Sequence, residues 1–328
     1  MSKSIKKLFI SILSLIFSVL LFGTVTFAWF SIAKSNVIHD LTLGISSDNN
    51  FKISLDGINY YDELTSEDIM RVVGENLELN DVTSYDGLSF LKGGPDKFKP
   101  AEKNIDYISI TLYFRTTDFE KNVYLVEDVS REAYLNKDID GTYVISKGIN
   151  WQADSTFING EDPVNDVIKA GDRHVFYAAE AIRIGFVEEK VEENKNDERV
   201  DLNSKIFDLS RNPLRGYGTS YGSLNYYNSK HNSSFTPPIT TQIVVNELSS
   251  FDKYNPYVPL DDKSYVLRMI ETDDIDSFGE TYYVGKVQMN IWIEGWDADC
   301  FDAIYRDVLT IKLKFKATRD IRTNKIYI

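Results

Sequence analysis

Hydrophobic and polar residues alternate along several stretches of this chain. In residues 309–316 the odd positions are Leu, Ile, Leu and Phe, and the even positions are Thr or Lys. Residues 108–114, 182–186 and 287–293 follow the same period of two. Such alternation is typical of a strand with one face in a core and the other face in water. The pattern predicts a mostly β protein with antiparallel sheets.

Two local signals stand between the predicted strands. Asp-Gly pairs at 56–57 and 140–141 predict tight hairpin turns, because such pairs readily adopt the positive φ angles of these turns. Residues 65–68, Thr-Ser-Glu-Asp, have the sequence of a capping box, and the apolar residues of 69–73 follow at helical spacing before Gly74. We therefore expect a short helix within a strand-rich chain.

A long segment of different composition separates the predicted strands. Residues 188–201 form a charge run, and residues 213–238 are rich in Tyr, Ser, Asn and Gly without a period of 2 or 3.6. We interpret residues 188–240 as a loop-rich insertion in a single β-sandwich domain. Its tyrosines either form a contact surface, as in antibody paratopes, or pack the loop onto the body. They are Tyr217, Tyr221, Tyr226 and Tyr227.

The start of the chain differs from the rest in character. Residues 8–30 are a run of Leu, Ile, Phe and Val relieved by Ser, Thr and Gly, and three lysines precede it. This hydrophobic helix with a cationic head predicts a signal peptide at residues 1–28, cut by a signal peptidase between Ala28 and Trp29. A retained membrane anchor is the alternative, because the run exceeds the ~18 residues that a membrane span requires. Both interpretations place residues 29–328 outside the cytoplasm, secreted or at the cell surface.

Charge and cysteine content exclude some partners. The chain has a formal net charge of −14, and removal of residues 1–28 takes away three lysines and no acids, which leaves −17. Such a body repels phosphate backbones and anionic headgroups, so we expect no nucleic acid partner and membrane contact only through the N-terminal segment. Cys300 is the only cysteine, which excludes an intrachain disulfide.

Short catalytic motifs occur without the context that they need. Residues 218–222 read Gly-Thr-Ser-Tyr-Gly, but they lie in the Tyr-rich segment, and no acid stands between Ser220 and the only later histidine, His231. The three histidines of the chain are scattered, and none lies in a zinc-peptidase motif. We therefore predict no catalytic residues, and a secreted hydrolase is the weaker alternative.

Two acidic stretches are candidate Ca²⁺ sites. The first is Asn136, Asp138 and Asp140. They match the first half of a calcium loop, although Lys147 stands where the loop needs a glutamate, so a simple hairpin turn is the alternative. The second is Glu294, Asp297 and Asp299. These carboxylates follow a predicted strand, and the alternative is that one of the aspartates caps a short helix after it.

The leader junction resembles that of the TasA/camelysin family, exported proteins of Gram-positive bacteria. The resemblance covers residues 15–45 and rests on Thr-Phe-Ala-Trp-Phe at 26–30 and the five residues after it. It implies cleavage between Ala28 and Trp29 and a jelly-roll β-sandwich. It also implies extracellular fibres in which residues 29–45 add a strand to the neighbouring subunit.

Strand donation by this segment is also reasonable on physical grounds. Residues 29–43 carry large apolar side chains at a newly freed end, and an extended segment can pair with a sheet edge through main-chain hydrogen bonds. Folding back into the chain's own sheet is the alternative. The sequence thus predicts an exported cell-surface or extracellular-matrix structural protein, with itself or other surface proteins as partners. A membrane-anchored module that binds a glycan or a protein is the second interpretation.

Overall fold

A computed structural model describes part of the chain. It covers residues 35–319 apart from 47–49, 75–76, 95–96, 119–120, 128–140, 192–196, 211 and 238–240. The apolar prefix, the predicted cleavage site and the first calcium candidate lie outside the described residues. The residues concerned are Ala28, Trp29, Asn136, Asp138 and Asp140.

Strands dominate the described residues, which confirms the prediction of a mostly β protein. The strands are β1 (Asn36–Ile45), β2 (Lys52–Ser54), β3 (Glu63–Leu64), β4 (Glu78–Leu79), β5 (Asp81–Thr83), β6 (Leu91–Lys92), β7 (Lys99–Pro100), β8 (Ile108–Thr116), β9 (Asn122–Leu125), β10 (Tyr143–Ser146), β11 (Ile149–Gln152), β12 (Phe157–Ile158), β13 (Val167–Ile168), β14 (Arg173–Phe176), β15 (Ile182–Glu189), β16 (Ser204–Phe207), β17 (Tyr265–Arg268), β18 (Ile270–Ile275), β19 (Thr281–Glu294) and β20 (Val308–Thr318). The helices are α1 (Ser66–Val73) and α2 (Ser223–His231), with 3-10 turns at Ala178–Ala181, Pro213–Arg215 and Asp302–Ile304.

Two large sheets pack against each other in a sandwich-like arrangement. In the first, the β20 sheet, the order is β17-β9-β20-β1-β3, with β10 also beside β20 and β4 beside β1. In the second, the β19 sheet, the order is β16-β15-β19-β5-β6-β7, with β8 and β18 also beside β19 and β2 beside β8. The ring of Phe315 in β20 lies 5.0 Å from that of Phe114 in β8 and 5.7 Å from that of Phe186 in β15. These contacts join the two sheets into one core.

The expectation of antiparallel sheets holds for most strand pairs but not for all. β1 runs parallel to β20, with Leu41 opposite Ile311, and β5 runs parallel to the end of β19. A tight hairpin forces neighbouring strands to be antiparallel, whereas β1 and β20 are joined by most of the chain. Side chains alternate between the two faces of a strand in parallel and in antiparallel sheets alike. The sequence pattern therefore cannot distinguish parallel from antiparallel pairing.

The first described segment lies in the chain's own sheet. Leu41 and Leu43 of β1 are buried in the core, and β1 is bonded to β20 along its length. On the other side, β4 and β3 pair only with the two ends of β1. Between them Ser66 Oγ, at the start of α1, accepts a hydrogen bond from Leu41 N at 2.7 Å. Residues 36–45 are therefore folded back into the sheet of their own chain. Residues 29–34 are not described.

The capping box at 65–68 is confirmed, and the chain reverses at 56–57 as predicted, although the loop is longer than a tight turn. Thr65 Oγ1 accepts a hydrogen bond from Asp68 N at 3.4 Å, and Thr65 N donates to Asp68 Oδ2 at 3.0 Å, which completes the capping box of α1. After β2 the chain turns back so that Ile53 pairs with the segment that follows the Asp-Gly turn.

The Asp-Gly turn of residues 54–59 is repeated at residues 84–89. Both segments begin with Ser-x-Asp-Gly, and in both the aspartate Oδ1 accepts hydrogen bonds from the main-chain amides two and three residues later at 2.7–2.8 Å. The second turn lies over the outer face of the β19 sheet, where Gly87 O accepts a hydrogen bond from Asn290 Nδ2 at 2.6 Å. This turn covers part of the face on which the site described below is built.

Residues 188–240, predicted as a loop-rich insertion, contain regular secondary structure. β16 pairs with β15 inside this segment, and α2 forms in its Tyr-rich part. Tyr226 is buried, and its hydroxyl lies 3.0 Å from both Asp154 Oδ1 and Asp302 Oδ2, so this tyrosine packs the segment onto the body. The helix is absent from the prediction because its buried residues, Ser223 and Tyr226, make no apolar stripe. Among the described residues, neither helix has the length and apolar character needed to cross a bilayer.

Candidate functional site: a buried cluster of carboxylates and arginines

The turn after β19 brings three buried carboxylates to one end of the β19 sheet. β19 ends at Glu294, and the main chain then folds back, with Asp297 N donating to Glu294 O at 3.1 Å. Asp297 Oδ1 accepts a hydrogen bond from Asp299 N at 2.9 Å. The expectation that an aspartate caps the following helix is wrong, because the 3-10 turn that begins at Asp302 has no side-chain cap. Asp297 instead stabilises the turn in which it lies.

Arg183 of β15 closes one side of the cluster. Its side chain is 0% exposed, its Nη2 contacts Asp297 Oδ2, and the same nitrogen lies 3.1 Å from Asp208 Oδ2. Its Nε donates to Gln242 Oε1 at 3.3 Å. Arg183 points away from the sandwich core, as strand alternation requires, but the turn after β19 covers it. A buried arginine needs such partners, because an unpaired charge in a protein interior is costly.

Arg215 closes the other side. Its Nε lies 2.9 Å from both carboxylate oxygens of Asp299, and its Nη2 lies 2.6 Å from Oδ1. The Nη2 also donates to Asn159 Oδ1 at 3.1 Å. Forked pairs of this kind are among the stronger hydrogen-bonded contacts in proteins. Arg215 therefore ties the segment after β16 and the loop of Asn159 to the turn after β19.

Glu294 is held by neutral donors rather than by a direct ion pair. Trp292 Nε1 donates to its Oε2 at 3.1 Å, and Gln242 Nε2 donates to the same oxygen at 2.7 Å. Gln242 also donates to Ser84 O, in the second Asp-Gly turn, at 2.6 Å. One glutamine side chain thus links Glu294, Arg183 and the covering turn.

The calcium hypothesis for this turn finds no set of ligands. The carboxylates of Glu294, Asp297 and Asp299 are each engaged by their own partners from this chain. In the described part of the chain, no group of three His, Cys, Asp or Glu side chains is placed to hold a metal ion.

The cluster contains more acids than bases. Its carboxyl groups and guanidinium groups are those of Glu180, Asp208, Glu294, Asp297, Asp299, Arg183 and Arg215. Burial, followed by repulsion from Asp299 and Asp208, raises the pKa of Glu180 to about 7. Burial also raises the pKa of Asp297 to about 8, although Arg183 opposes this shift. Excess negative charge in a buried site favours bound protons, so the cluster takes up or releases protons near neutral pH.

The arrangement is suited to holding chain segments together. It joins β15, the end of β16, the turn after β19 and the 3-10 turn of Arg215. Ion-pair networks shift pKa values as strongly as catalytic sites do, so the pKa of Glu180 does not by itself indicate catalysis. The Gly-Thr-Ser-Tyr-Gly motif supplies no nucleophile to it. Ser220 is exposed, and the last glycine, Gly222, begins α2 and donates its N–H to Ile158 O at 2.9 Å.

Sequence reasoning predicted three members of the cluster and missed the others. Glu294, Asp297 and Asp299 are close together in the chain, and this spacing predicted that they share one site. Arg183 appears in the sequence only as the polar position of a strand, and Asp208 and Arg215 lie in a segment without periodicity. No local signal predicts that loops will cover Arg183, so these residues could not be found from the sequence.

Comparison with known proteins adds no assignment to this cluster. No protein-family profile, curated protein or solved structure matches the chain. The resemblance at the leader junction therefore remains a prediction from residues 15–45. Of these residues, the structure describes only 35–45.

Proposed function

We propose that this chain is an exported structural protein of the cell surface or extracellular matrix, which self-associates through exchange of its N-terminal strand. Its body is proposed to be a jelly-roll variant of the sandwich described above. The anionic composition and the lysine-headed apolar prefix support export. The geometry of β1 supports self-association and is the observation that carries the proposal.

β1 lies within the β20 sheet without a hairpin partner. It lies between β20 and the short strands β3 and β4, and its pairing with β20 is parallel. A neighbouring subunit can therefore fill the same place with the same side chains, which is the usual geometry of strand exchange.

Simple addition of a foreign strand is disfavoured at three other sheet edges, those of β17, β16 and β2. Asn203 Nδ2 donates to the carbonyl groups of Tyr265 and Val266 on the outer side of β17, at 3.0 and 2.8 Å. Val245 bonds to the outer side of β16, and Tyr61 bonds to the outer side of β2. Edges covered in this way do not offer a free row of main-chain groups. We therefore propose exchange of β1 in preference to strand addition at these three edges.

A disulfide that locks β1 in its own sheet tests this proposal. Thr42 of β1 and Lys312 of β20 are register partners, and neighbouring strands have the Cα separation that a disulfide requires. In the variant Thr42→Cys/Lys312→Cys, oxidation of the monomer is expected to suppress fibres in negative-stain micrographs, and reduction to restore them. The single variant Thr42→Cys is the control, expected to assemble under both conditions. Fibres that persist after dilution with the disulfide fully formed would rule out exchange of β1.

Export has its own test at the cleavage site. We expect protein recovered from the culture medium to begin at Trp29, because Thr26 and Ala28 are the small residues that a signal peptidase selects. N-terminal sequencing measures this directly. Recovery of the full-length chain in the membrane fraction would favour the retained anchor, and recovery from the cytosol would contradict export.

A further inference from the structure

The hairpin between β18 and β19 ends in an exposed apolar tip. Phe278 is 89% exposed and Ile275 is 62% exposed. The tip is rigid in its main chain, because Asp276 Oδ1 accepts hydrogen bonds from the amides of Phe278 and Glu280 at 2.8 and 2.9 Å. The flanking acids Asp273 and Glu280 are exposed, so the tip presents an aromatic ring within negative charge.

An aromatic patch with the opposite charge lies beyond the other end of β19. We call it the Trp296 patch, and its rings are those of Phe98, Tyr227, Phe235 and Trp296. The ring centroid of Phe235 lies 4.8 Å from Trp296, 5.9 Å from Tyr227 and 6.3 Å from Phe98. All except Trp296 remain partly exposed.

Two lysines flank Phe98 in this patch. Lys97 and Lys99 are both exposed, and in the part of the chain that the structure describes neither forms an ion pair with a carboxylate. Two exposed lysines beside partly exposed rings stand out on a chain of net charge −14. The patch thus carries the two features, apolar surface and positive charge, that complement the hairpin tip.

The length of β19 keeps the two features apart within one molecule. β19 has 14 residues, the hairpin tip precedes its first residue, and Trp296 follows its last residue by two positions. At ~3.3 Å per residue the strand spans about 45 Å. The tip of one molecule therefore cannot reach its own patch.

We propose that the β18–β19 hairpin tip docks on the Trp296 patch of a second copy of this chain. Phe278 enters among the rings of the patch, and the acids of the tip lie against Lys97 and Lys99. Because the two surfaces differ, each copy keeps one free tip and one free patch, and the contact extends into an open chain of subunits. The proposal deepens the self-association proposed above but uses no part of β1.

The size of the contact indicates its strength. One hairpin tip buries less than the ~1,200 Å² of a stable interface, so the contact is weak and acts at high local concentration. The exposed ring supplies most of the apolar area. Its removal is expected to weaken association by about 10- to 100-fold, the usual effect of losing one buried aromatic side chain. Salt weakens the contact further by screening the charged groups around the ring.

A pair of cysteines tests which surfaces meet. Ser277 at the tip and Lys97 at the patch are both exposed. Under mild oxidation, the variant Ser277→Cys/Lys97→Cys is expected to give a ladder of disulfide-linked oligomers on a non-reducing gel. The control is Ser277→Cys/Lys169→Cys, which places the second cysteine at an exposed lysine outside the patch and is expected to remain monomeric. Equal ladders from both variants, or no ladder from either, would overturn the proposal.

A ring deletion with a matched control supports the same test. Tyr254 is 91% exposed and follows Asp252 as Phe278 follows Asp276, with the aspartate Oδ1 accepting its amide at 2.8 Å. Sedimentation velocity at rising concentration is expected to show association lost in Phe278→Ser and retained in Tyr254→Ser. Equal association in both variants would contradict docking of the tip.

The two self-association proposals can fail separately. In the disulfide-locked variant Thr42→Cys/Lys312→Cys, β1 stays in its own sheet, yet the tip and the patch are unchanged. Docking of the tip predicts that this locked protein still associates and that Phe278→Ser abolishes the association. Loss of all association in the locked protein would overturn tip docking while leaving strand exchange intact.

Discussion

Replacement of Arg183 by methionine is expected to lower the free energy of unfolding by about 3–5 kcal/mol. Methionine fills a similar volume, but it leaves Asp297 and Asp208 buried without the cation that both contact. Removing one partner of a buried pair costs far more than the pair itself contributes, because the remaining carboxyl groups, whether charged or protonated, lose a donor and cannot reach water instead. Urea unfolding at pH 7, followed by tryptophan fluorescence, measures the change.

Two further variants separate this effect from general damage. Arg173 is exposed in β14, where its Nη2 donates to Gln152 Oε1 at 3.0 Å, and Arg173→Met is expected to change stability by less than about 0.5 kcal/mol. In Arg183→Met/Asp297→Asn one buried charge is removed together with its partner, so part of the stability should return. Unfolding of Arg183→Met at the wild-type urea concentration would contradict the role assigned to the cluster.

The contribution of Glu180 to the free energy of unfolding is expected to fall as the pH rises from about 4.5 to about 7. The folded protein raises the pKa of this carboxyl group from 4.5 to about 7, mainly by burial and then by repulsion from Asp299 and Asp208, against the attraction of Arg215. A raised pKa means that the folded state binds the proton more tightly than the unfolded state does. The favourable contribution is therefore complete below pH 4.5 and is lost as the pH passes 7.

The variant Glu180→Gln should remove this dependence. Glutamine resembles the protonated acid, so the variant is expected to match the wild type near pH 4 and to exceed it at pH 8 by up to about 3 kcal/mol. Glu198 is exposed outside the cluster, and Glu198→Gln serves as the control, with no expected change in the pH profile. Parallel profiles for the wild type and Glu180→Gln between pH 4 and 8 would show that Glu180 does not hold a proton in the folded state.

The buried cluster also bears on the proposed docking surface. Trp296 lies between Glu294 and Asp297 in the turn that the cluster holds, and its main-chain oxygen accepts a hydrogen bond from Gly218 N at 2.8 Å. The ion pairs of Arg183 and Arg215 thus fix the position of the Trp296 patch relative to β19. A preformed patch loses less entropy on docking, which matters for a contact of small area. Loss of the cluster should therefore weaken tip docking as well as stability.

Sequence reasoning was reliable where neighbouring residues decide the structure. The alternation in residues 309–316 identified β20, because the odd positions are buried in the core. The other face does not lie in water as predicted: it is half-buried, and Lys314 on it is buried. The capping box at Thr65 identified the start of α1, because its hydrogen bonds connect residues three positions apart. The same reasoning failed for α2, whose position depends on contacts of Tyr226 with residues about 70 positions away.

The strand-rich class of this protein and its Asp-Gly turn at residues 56–57 follow from the local order of side chains, and the sequence alone was enough to predict both. Only the tertiary structure decided the parallel pairing of β1 with β20, the burial of Arg183 and the separation of the hairpin tip from the Trp296 patch. These features join residues that are distant in the chain. Their energies come from desolvation and from paired charges, which exist only after the two sheets and the loops over them have come together.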